Sequence, residues 1–342
     1  MSSSNKKTIY RAIIIGCGNI GALLEADPLR PKPATYAGAF TKHKKIELVG
    51  LVDLSESILK KAHGLFPGVK TYQDAELCIK QTQPAIVAIA TPPDTHYHYL
   101  HLCKKYRIAA VICEKPMSES LAGAKKIERL FKRSKMLIVI NHQRRFFPLF
   151  KEARKKIQDG ILGAVRQVTT YYSNGIINNG SHLIDTLRFL LRDEVAWVSG
   201  AINVNNNTRA KFDSNIDGLL HFRSGAVVTM QCFDQAIYGI HELNLFGDKG
   251  ELAIGGYGYE FRWIPVRASR CFANFRELAP SAQKKYYQKV GMVEGVVDHV
   301  VDCLRKKKKS DSTLRDGAKA LSVLLALIQS AKSGGRRVYI KN

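Results

Sequence analysis

The sequence predicts an α/β domain on a parallel sheet, followed by an α+β domain whose sheet is largely antiparallel. Three observations predict it. A continuously apolar strand runs into a glycine-rich turn near the N-terminus, and strands and helices then alternate to about residue 140. Beyond residue 144, strand-like segments follow one another without helices between them. At 342 residues the chain is too long for one ordinary core, so two domains are expected, 1–143 and 144–342.

The elements follow in order. Residues 10–21 (YRAIIIGCGNIG) read as a buried strand, a glycine turn and a helix start, with Ile13, Ile14 and Ile15 apolar as in a strand covered on both faces. Further strands are expected at Glu47–Val52, Ala85–Ala90, Ala109–Cys113 and Met136–Ile140. Helices are expected over 55–63, 94–106 and 118–133. Right-handed crossovers in this rhythm give one parallel sheet. The second domain is expected to hold helices at 148–159 and 181–191, a long strand at 164–172, and strands at 197–204, 218–222, 226–233 and 240–247. A helix over 317–333 and a strand over 337–340 close the chain.

Gly16-x-Gly18-x-x-Gly21 is a weak motif alone, but here it follows an apolar strand and precedes a helical segment. The first glycine permits a tight turn, the second lets backbone approach a diphosphate, and the third allows close helix–strand packing. Asn19 and Ile20 lie within the same turn. Asp53, at the tip of the second strand, is placed to accept ribose hydroxyls and to repel a 2′-phosphate. Residues 54–56 offer no cation for that phosphate, so a Rossmann domain binding NAD rather than NADP is expected. The spacing from Gly21 to Asp53 is 32 residues, against the usual ~20. The surplus is assigned to a loop, Glu25–Thr35, rich in proline and charge.

Composition narrows the classes. Hydrophobic residues make up 45% and charged residues 24%, which is globular. No apolar stretch approaches the ~20 residues of a membrane helix. The opening MSSSNKKTIYR lacks an apolar core and a cleavage site, so a cytoplasmic protein is expected. Seven cysteines without C-x-x-C pairs, and histidines without paired ligand spacing, predict neither disulfides nor metal. The net charge of +24 is spread along the chain, with Lys306–Lys309 its only dense run. It attracts anions in general. No recognition helix or aromatic-interleaved sheet accompanies it, so specific nucleic-acid binding is not expected.

Two residues stand out as chemistry-bearing. Lys115 follows the fourth strand and points into the crevice where open α/β sheets bind ligands, a place from which it can hydrogen-bond a substrate oxygen. A surface lysine after a strand is the plainer alternative. His182 opens the helix SHLIDTLRFLL, whose Leu183, Ile184, Leu187, Leu190 and Leu191 define a core face. A helix N-terminus disfavours charged histidine, which suits a neutral base; a capping histidine is the plainer alternative. Asp185 and Asn178 are each within reach of His182 along the helix.

The motifs G-C-G-N-I-G (16–21), A-T-P-P-D-T-H (90–96), E-K-P (114–116), Q-R-R-F-F-P (143–148) and N-G-S-H-L-I-D (179–185) together resemble the glucose–fructose oxidoreductase / inositol dehydrogenase family. The resemblance spans both expected domains. It implies that Lys115 is the catalytic lysine, beside a proline often cis in relatives. It implies that Thr91, Pro92, Pro93 and His96 line the cofactor site, with Glu114 near the nicotinamide ribose. It also implies that Asn179 lies in the substrate region and that the open sheet of the second domain forms a homodimer or homotetramer. Inositol dehydrogenase-like members carry an aspartate four residues before the histidine, where this chain has Asn178. His182 then acts alone, is oriented by Asp185, or yields the duty to Lys115 and a tyrosine such as Tyr172.

Arg144 and Arg145, at the expected domain hand-over, can bind an anionic group or form an ordinary salt bridge. These features lead to one expected reaction, hydride transfer between NAD and a secondary alcohol of a sugar, sugar acid, sugar nucleotide or cyclitol. The alternatives are a reductase of an imine or unsaturated ring, and a non-catalytic NAD-binding regulator.

Overall fold

The computed structural model of the protein describes residues 8–203, 213–280, 284–287 and 291–341. These divide into two compact units, one from Met1–Phe146 and Val290–Ala318, the other from Phe147–Lys289 and Lys319–Asn342.

In the first unit, strands β1 (Tyr10–Ile15), β2 (Ile46–Val52), β3 (Thr71–Tyr72), β4 (Ile86–Ile89), β5 (Ala110–Cys113) and β6 (Leu137–Ile140) form one sheet in the order β3-β2-β1-β4-β5-β6. Every pairing is parallel. This is the doubly wound order, reversing between β1 and β4. Successive residues of a strand face opposite sides. Ala12 and Ile14 join a core with α1 (Tyr36–Lys42) and α2 (Glu56–Leu65). Ile13 meets the other side, where α3 (Ala75–Thr82) brings Cys78 against Gly50. Helices α4 (His96–Lys105) and α5 (Leu121–Phe131) pack together, and α4 lies against β4 and β5.

Sequence reading passed over β3, too short to show a period, and α1 and α3. The helix start expected after Gly21 is a single turn, closed by Ala22 and Leu23 N–H groups donating to the Gly18 carbonyl at 3.0 Å. The chain continues through a short 3₁₀ helix, Leu23–Ala26, then leaves as a loop and returns at α1. There the Tyr36 N–H donates to the Ile20 carbonyl and the Ala37 N–H to the Gly21 carbonyl, both at 3.0 Å. Helix α1 therefore resumes the interrupted helix, and the looped-out 22–35 accounts for the long spacing to Asp53. Inside the loop the Glu25 carboxylate accepts from the N–H groups of Ala34 and Thr35 and from the Thr35 hydroxyl. The Thr35 hydroxyl oxygen in turn caps α1 by accepting from the Gly38 N–H.

The second unit begins with α6 (Pro148–Gln158), β7 (Val165–Ser173) and α7 (Ser181–Leu191). It continues through β8 (Val195–Ile202), β9 (Ile216–Phe222), β10 (Val227–Phe233), β11 (His241–Gly247), β12 (Gly250–Gly255), β13 (Glu260–Ala268), β14 (Arg276–Leu278) and β15 (Lys284–Tyr287). After α8 (Met292–Lys306) and α9 (Leu314–Lys332), β16 (Val338–Tyr339) closes a sheet ordered β14-β13-β12-β11-β7-β10-β9-β8-β16, with β15 on β13. The pairing of β7 with β10 is parallel and the others are antiparallel. The α/β plus α+β architecture expected from the sequence is thus observed. The expected strand end at Val204 lies outside the described residues.

Two expectations need correction. Residues 290–318 were placed with the second domain, but α8 belongs to the first unit, where Val293, Val296, Val297, Val300 and Val301 enter the core beside Phe40 and Phe146. Helix α7 is expected to bury one face of leucines, yet Asp185, Thr186 and Arg188 are buried along with Leu183, Leu187 and Leu190. The Arg188 guanidinium answers two carboxylates, buried Asp185 at 3.3 Å and half-buried Glu194 at 2.8 Å, so the buried charges are paired in a network.

A Cβ built on Gly21 falls 2.0 Å from the Gly16 carbonyl oxygen, a contact that only backbone movement relieves. Gly21→Ala is therefore expected to destabilise the protein by about 3 kcal/mol, read as a lower urea midpoint at unchanged slope. An unchanged midpoint contradicts the packing.

Candidate functional site

The loops that follow β1, β2, β4 and β5 leave from the carboxyl ends of a parallel sheet, and the first and third flank its reversal point. That is where open α/β sheets bind ligands. Gly16 has φ +94°, and a Cβ there would stand 2.6 Å from the Ala90 carbonyl and 2.9 Å from Thr91, so the β1 and β4 loops touch through it. Around Gly18 a Cβ would meet nothing within 4 Å. Internal packing does not require that glycine, and the backbone there is open to the approach of a ligand.

Asp53 follows β2 directly. Its Oδ2 accepts the Cys17 N–H at 2.8 Å and its Oδ1 the Ser55 N–H at 2.9 Å. A carboxylate has about four acceptor positions, so two remain for ribose hydroxyls. The open backbone at Gly18 and this oriented carboxylate fit an adenine dinucleotide. Cys17, inside the turn, is no nucleophile: burial, and then the Asp53 carboxylate, push its thiol up to about 12.

Beyond β4, Thr91 and Pro93 are half-buried and Pro92 is exposed. The Thr95 hydroxyl donates to the Pro92 carbonyl at 2.7 Å and lies 2.7 Å from the Thr91 hydroxyl. His96 is fully buried, with Nε2 2.9 Å from the Thr91 carbonyl. It supports the loop from beneath rather than lining it, which corrects the expected cofactor contact. Burial lowers its pKa, so the ring is neutral.

Beyond β5, Glu114 and Lys115 are half-buried and the Lys115–Pro116 bond is cis. Glu114 Oε1 accepts from the Tyr36 hydroxyl and from Asn141 Nδ2, each at 2.7 Å. Its Oε2 accepts the Lys115 N–H at 3.2 Å. Sequence reasoning missed Tyr36 and Asn141: one follows a loop with no periodicity, the other is an ordinary strand end.

The arginines of the QRR segment are both buried. Arg145 Nη1 pairs with Asp316 at 3.0 Å and donates to the Asp311 carbonyl at 2.9 Å, so its anion-binding role is replaced by a structural one.

In the second unit, a π-helical turn, Gly175–Gly180, leads into α7. The Asp213 carboxylate holds it by accepting the N–H groups of Ile177 at 2.7 Å and Asn178 at 2.8 Å. Asn178 is exposed, and Asn179 Nδ2 donates to the Ser173 carbonyl at 2.8 Å. His182 is half-buried in the first turn of α7. Two expected substrate residues are core instead. Tyr172 is fully buried, its hydroxyl donating to the Ile216 carbonyl at 2.6 Å, and burial raises its pKa well above the ordinary value. Asp185, 1% exposed, sits against Arg188.

Residues 10–142 match the model of an oxidoreductase family with an NAD-binding Rossmann fold (GFO/IDH/MocA), and residues 173–253 match the GFO/IDH/MocA C-terminal domain. The chain belongs to this family. It is an NAD-binding oxidoreductase. D-apiose dehydrogenase of Paraburkholderia graminis is 23% identical across 97% of this chain and 90% of its own length. The scyllo-inositol 2-dehydrogenase (NAD(+)) of Bacillus subtilis is 24% identical across 72% and 75%. The WlbA dehydrogenase of Bordetella pertussis, solved with NADH and UDP-GlcNAcA, shares the fold at a TM-score of 0.75, with 19% identity over 98% of this chain and 99% of that one. Among the described residues of this oxidoreductase no helix is long and apolar enough to cross a membrane.

Two outcomes are expected. Gly18→Ala changes stability by less than about 0.5 kcal/mol, because its Cβ meets only open space. It nevertheless weakens NAD binding at least about tenfold in calorimetry, because the cofactor needs that space. Because the folded His96 pKa is lowered, the unfolded chain takes up its proton first, and stability falls as pH drops below about 6.5. Urea midpoints at pH 7 and pH 5 measure the slope, and His96→Gln is expected to shallow it; parallel slopes refute the assignment.

Proposed function

We propose that this oxidoreductase is a dehydrogenase that moves a hydride between NAD and a secondary alcohol or ketone of a sugar-like substrate, with Lys115 as its acid/base. The observation that carries the reading is the position of Lys115 at the carboxyl edge of the parallel sheet, one residue past a carboxylate that grips its backbone amide.

When bound, the nicotinamide ring supplies the acceptor or donor of the hydride. The chain supplies the rest. In the oxidation direction the substrate O–H proton passes to a neutral Lys115 amine as the carbonyl forms. In reduction a Lys115 ammonium hydrogen-bonds the carbonyl oxygen and delivers the proton. Asp53 binds the ribose hydroxyls and disfavours a 2′-phosphate. His182 is assigned an assisting role. Asn178 has no acidic proton to relay, so no Asp–His pair of the inositol dehydrogenase form operates there.

Relatives named for apiose and inositols, and a neighbour solved with a sugar nucleotide, support the sugar or cyclitol class. The engagement of Arg145 removes one reason to favour anionic sugars, and the net charge of +24 remains the other. The same reading extends to a homodimer or homotetramer, which light scattering measures.

A screen at 340 nm with NAD and NADP against inositols, aldoses, sugar acids and UDP-sugars tests the substrate class. With the substrate it finds, Lys115→Met is expected to keep NAD affinity within a few-fold and to lower turnover by about 10²–10⁴. Near-normal turnover sinks the assignment of Lys115.

A further inference from the structure

The helix that should run on from the glycine turn gives way to a 3₁₀ helix, Leu23–Ala26, and a loop, and the residue that resumes it is Tyr36. Its backbone N–H takes the Ile20 carbonyl, so its place is set by the nucleotide loop itself. Its N-terminal neighbours are held by Glu25, through three hydrogen bonds to Ala34 and Thr35. From there the ring is fully buried and its hydroxyl reaches Glu114 Oε1 at 2.7 Å. Asn141, just past β6, donates to the same oxygen, while the second carboxylate oxygen takes the Lys115 N–H. One carboxylate thus joins the start of α1, the end of β6 and the backbone of Lys115. Burial and the facing Glu114 hold the Tyr36 phenol well above its ordinary pKa, so it remains a donor.

We propose that Tyr36 is a positioning residue for hydride transfer: its hydroxyl fixes the Glu114 carboxylate, which fixes the Lys115 backbone and hence where the Lys115 ammonium stands. Charge-assisted O–H···O⁻ bonds are short and strong, and this one lies in a buried setting. Its loss frees the carboxylate to turn about the Asn141 bond, and a displacement of about 1 Å at a reacting group costs up to ~10²-fold in rate. The inference rests on the acid/base reading of Lys115 above.

The test is a double-mutant cycle of Tyr36→Phe and Glu114→Ala in the full chain. It is read by turnover, sugar KM, calorimetric NAD affinity, thermal melting and labelling of Lys115 by a lysine-selective acylating reagent. The expected result for Tyr36→Phe is a folded protein whose turnover falls roughly 10- to 100-fold, with KM and NAD affinity moved less than about threefold and Lys115 labelling altered. Adding Tyr36→Phe to Glu114→Ala is expected to cost nothing more. Wild-type turnover in Tyr36→Phe overturns the proposal, as do losses that multiply in the double variant. Should Tyr36→Phe not fold, Glu114→Ala alone decides: full turnover with it leaves Tyr36 nothing to act through. An inactive wild type overturns the dehydrogenase reading and this proposal with it. An active wild type whose Lys115→Met variant is also active overturns only the lysine's role and what rests on it.

Discussion

Residue 21 approaches the carbonyl of residue 16 so closely that no side chain fits between them. Much of the first unit depends on that approach. It seats the single helical turn against the end of β1, which lets the Cys17 N–H reach the Asp53 carboxylate at 2.8 Å. The same turn leaves the carbonyls of Ile20 and Gly21 free to receive α1. A side chain at 21 would push the turn outward and disturb all three connections together. The three glycines therefore differ in kind: Gly16 by its positive φ, Gly21 by contact, and Gly18 by the empty space beside it.

The loop between the first turn and α1 shows how an insertion is accommodated without losing a crossover helix. A loop of this length costs little entropy if its ends are already close. Here they are, because the carbonyls of one turn receive the amides of the next. Lys32 secures the interior by donating to the carbonyls of Leu24, Glu25 and Asp27. Its base is tied by the Glu25 carboxylate. A loop with so many internal partners delivers Tyr36 to a fixed place.

In the second unit buried charge has the corresponding role. Arg188 sits between Asp185 and Glu194, and Glu194 also takes the Lys319 ammonium at 2.7 Å. Such a network costs desolvation and is satisfied only in one arrangement of α7, the start of β8 and α9. It sets the orientation of the helix whose first turn carries His182. The π-turn before that helix is held separately, by Asp213 from the segment leading into β9.

The parallel strands β1, β2, β4, β5 and β6, the glycine turn, Asp53 and the place of Lys115 were legible in the sequence, because each is a local pattern: an apolar run, a glycine spacing, a residue just past a strand. Helix α8 was not among the expected elements, although its valines recur at helical spacing from Val293 to Val301, and its allegiance to the first unit was not legible either. Local patterns say that a face is apolar, not which core receives it. For the same reason Tyr172, Asp185 and Arg145 looked available for chemistry and proved to be engaged, by a backbone carbonyl, a guanidinium and a carboxylate far away in the chain. The sequence by itself determined the long periodic elements and the dinucleotide turn, whose causes lie within a few residues. Only the tertiary structure decided which polar side chains remain available, and that Tyr36 and Asn141 meet on Glu114. Those pairings join residues many positions apart, and their energy exists only once the chain is packed.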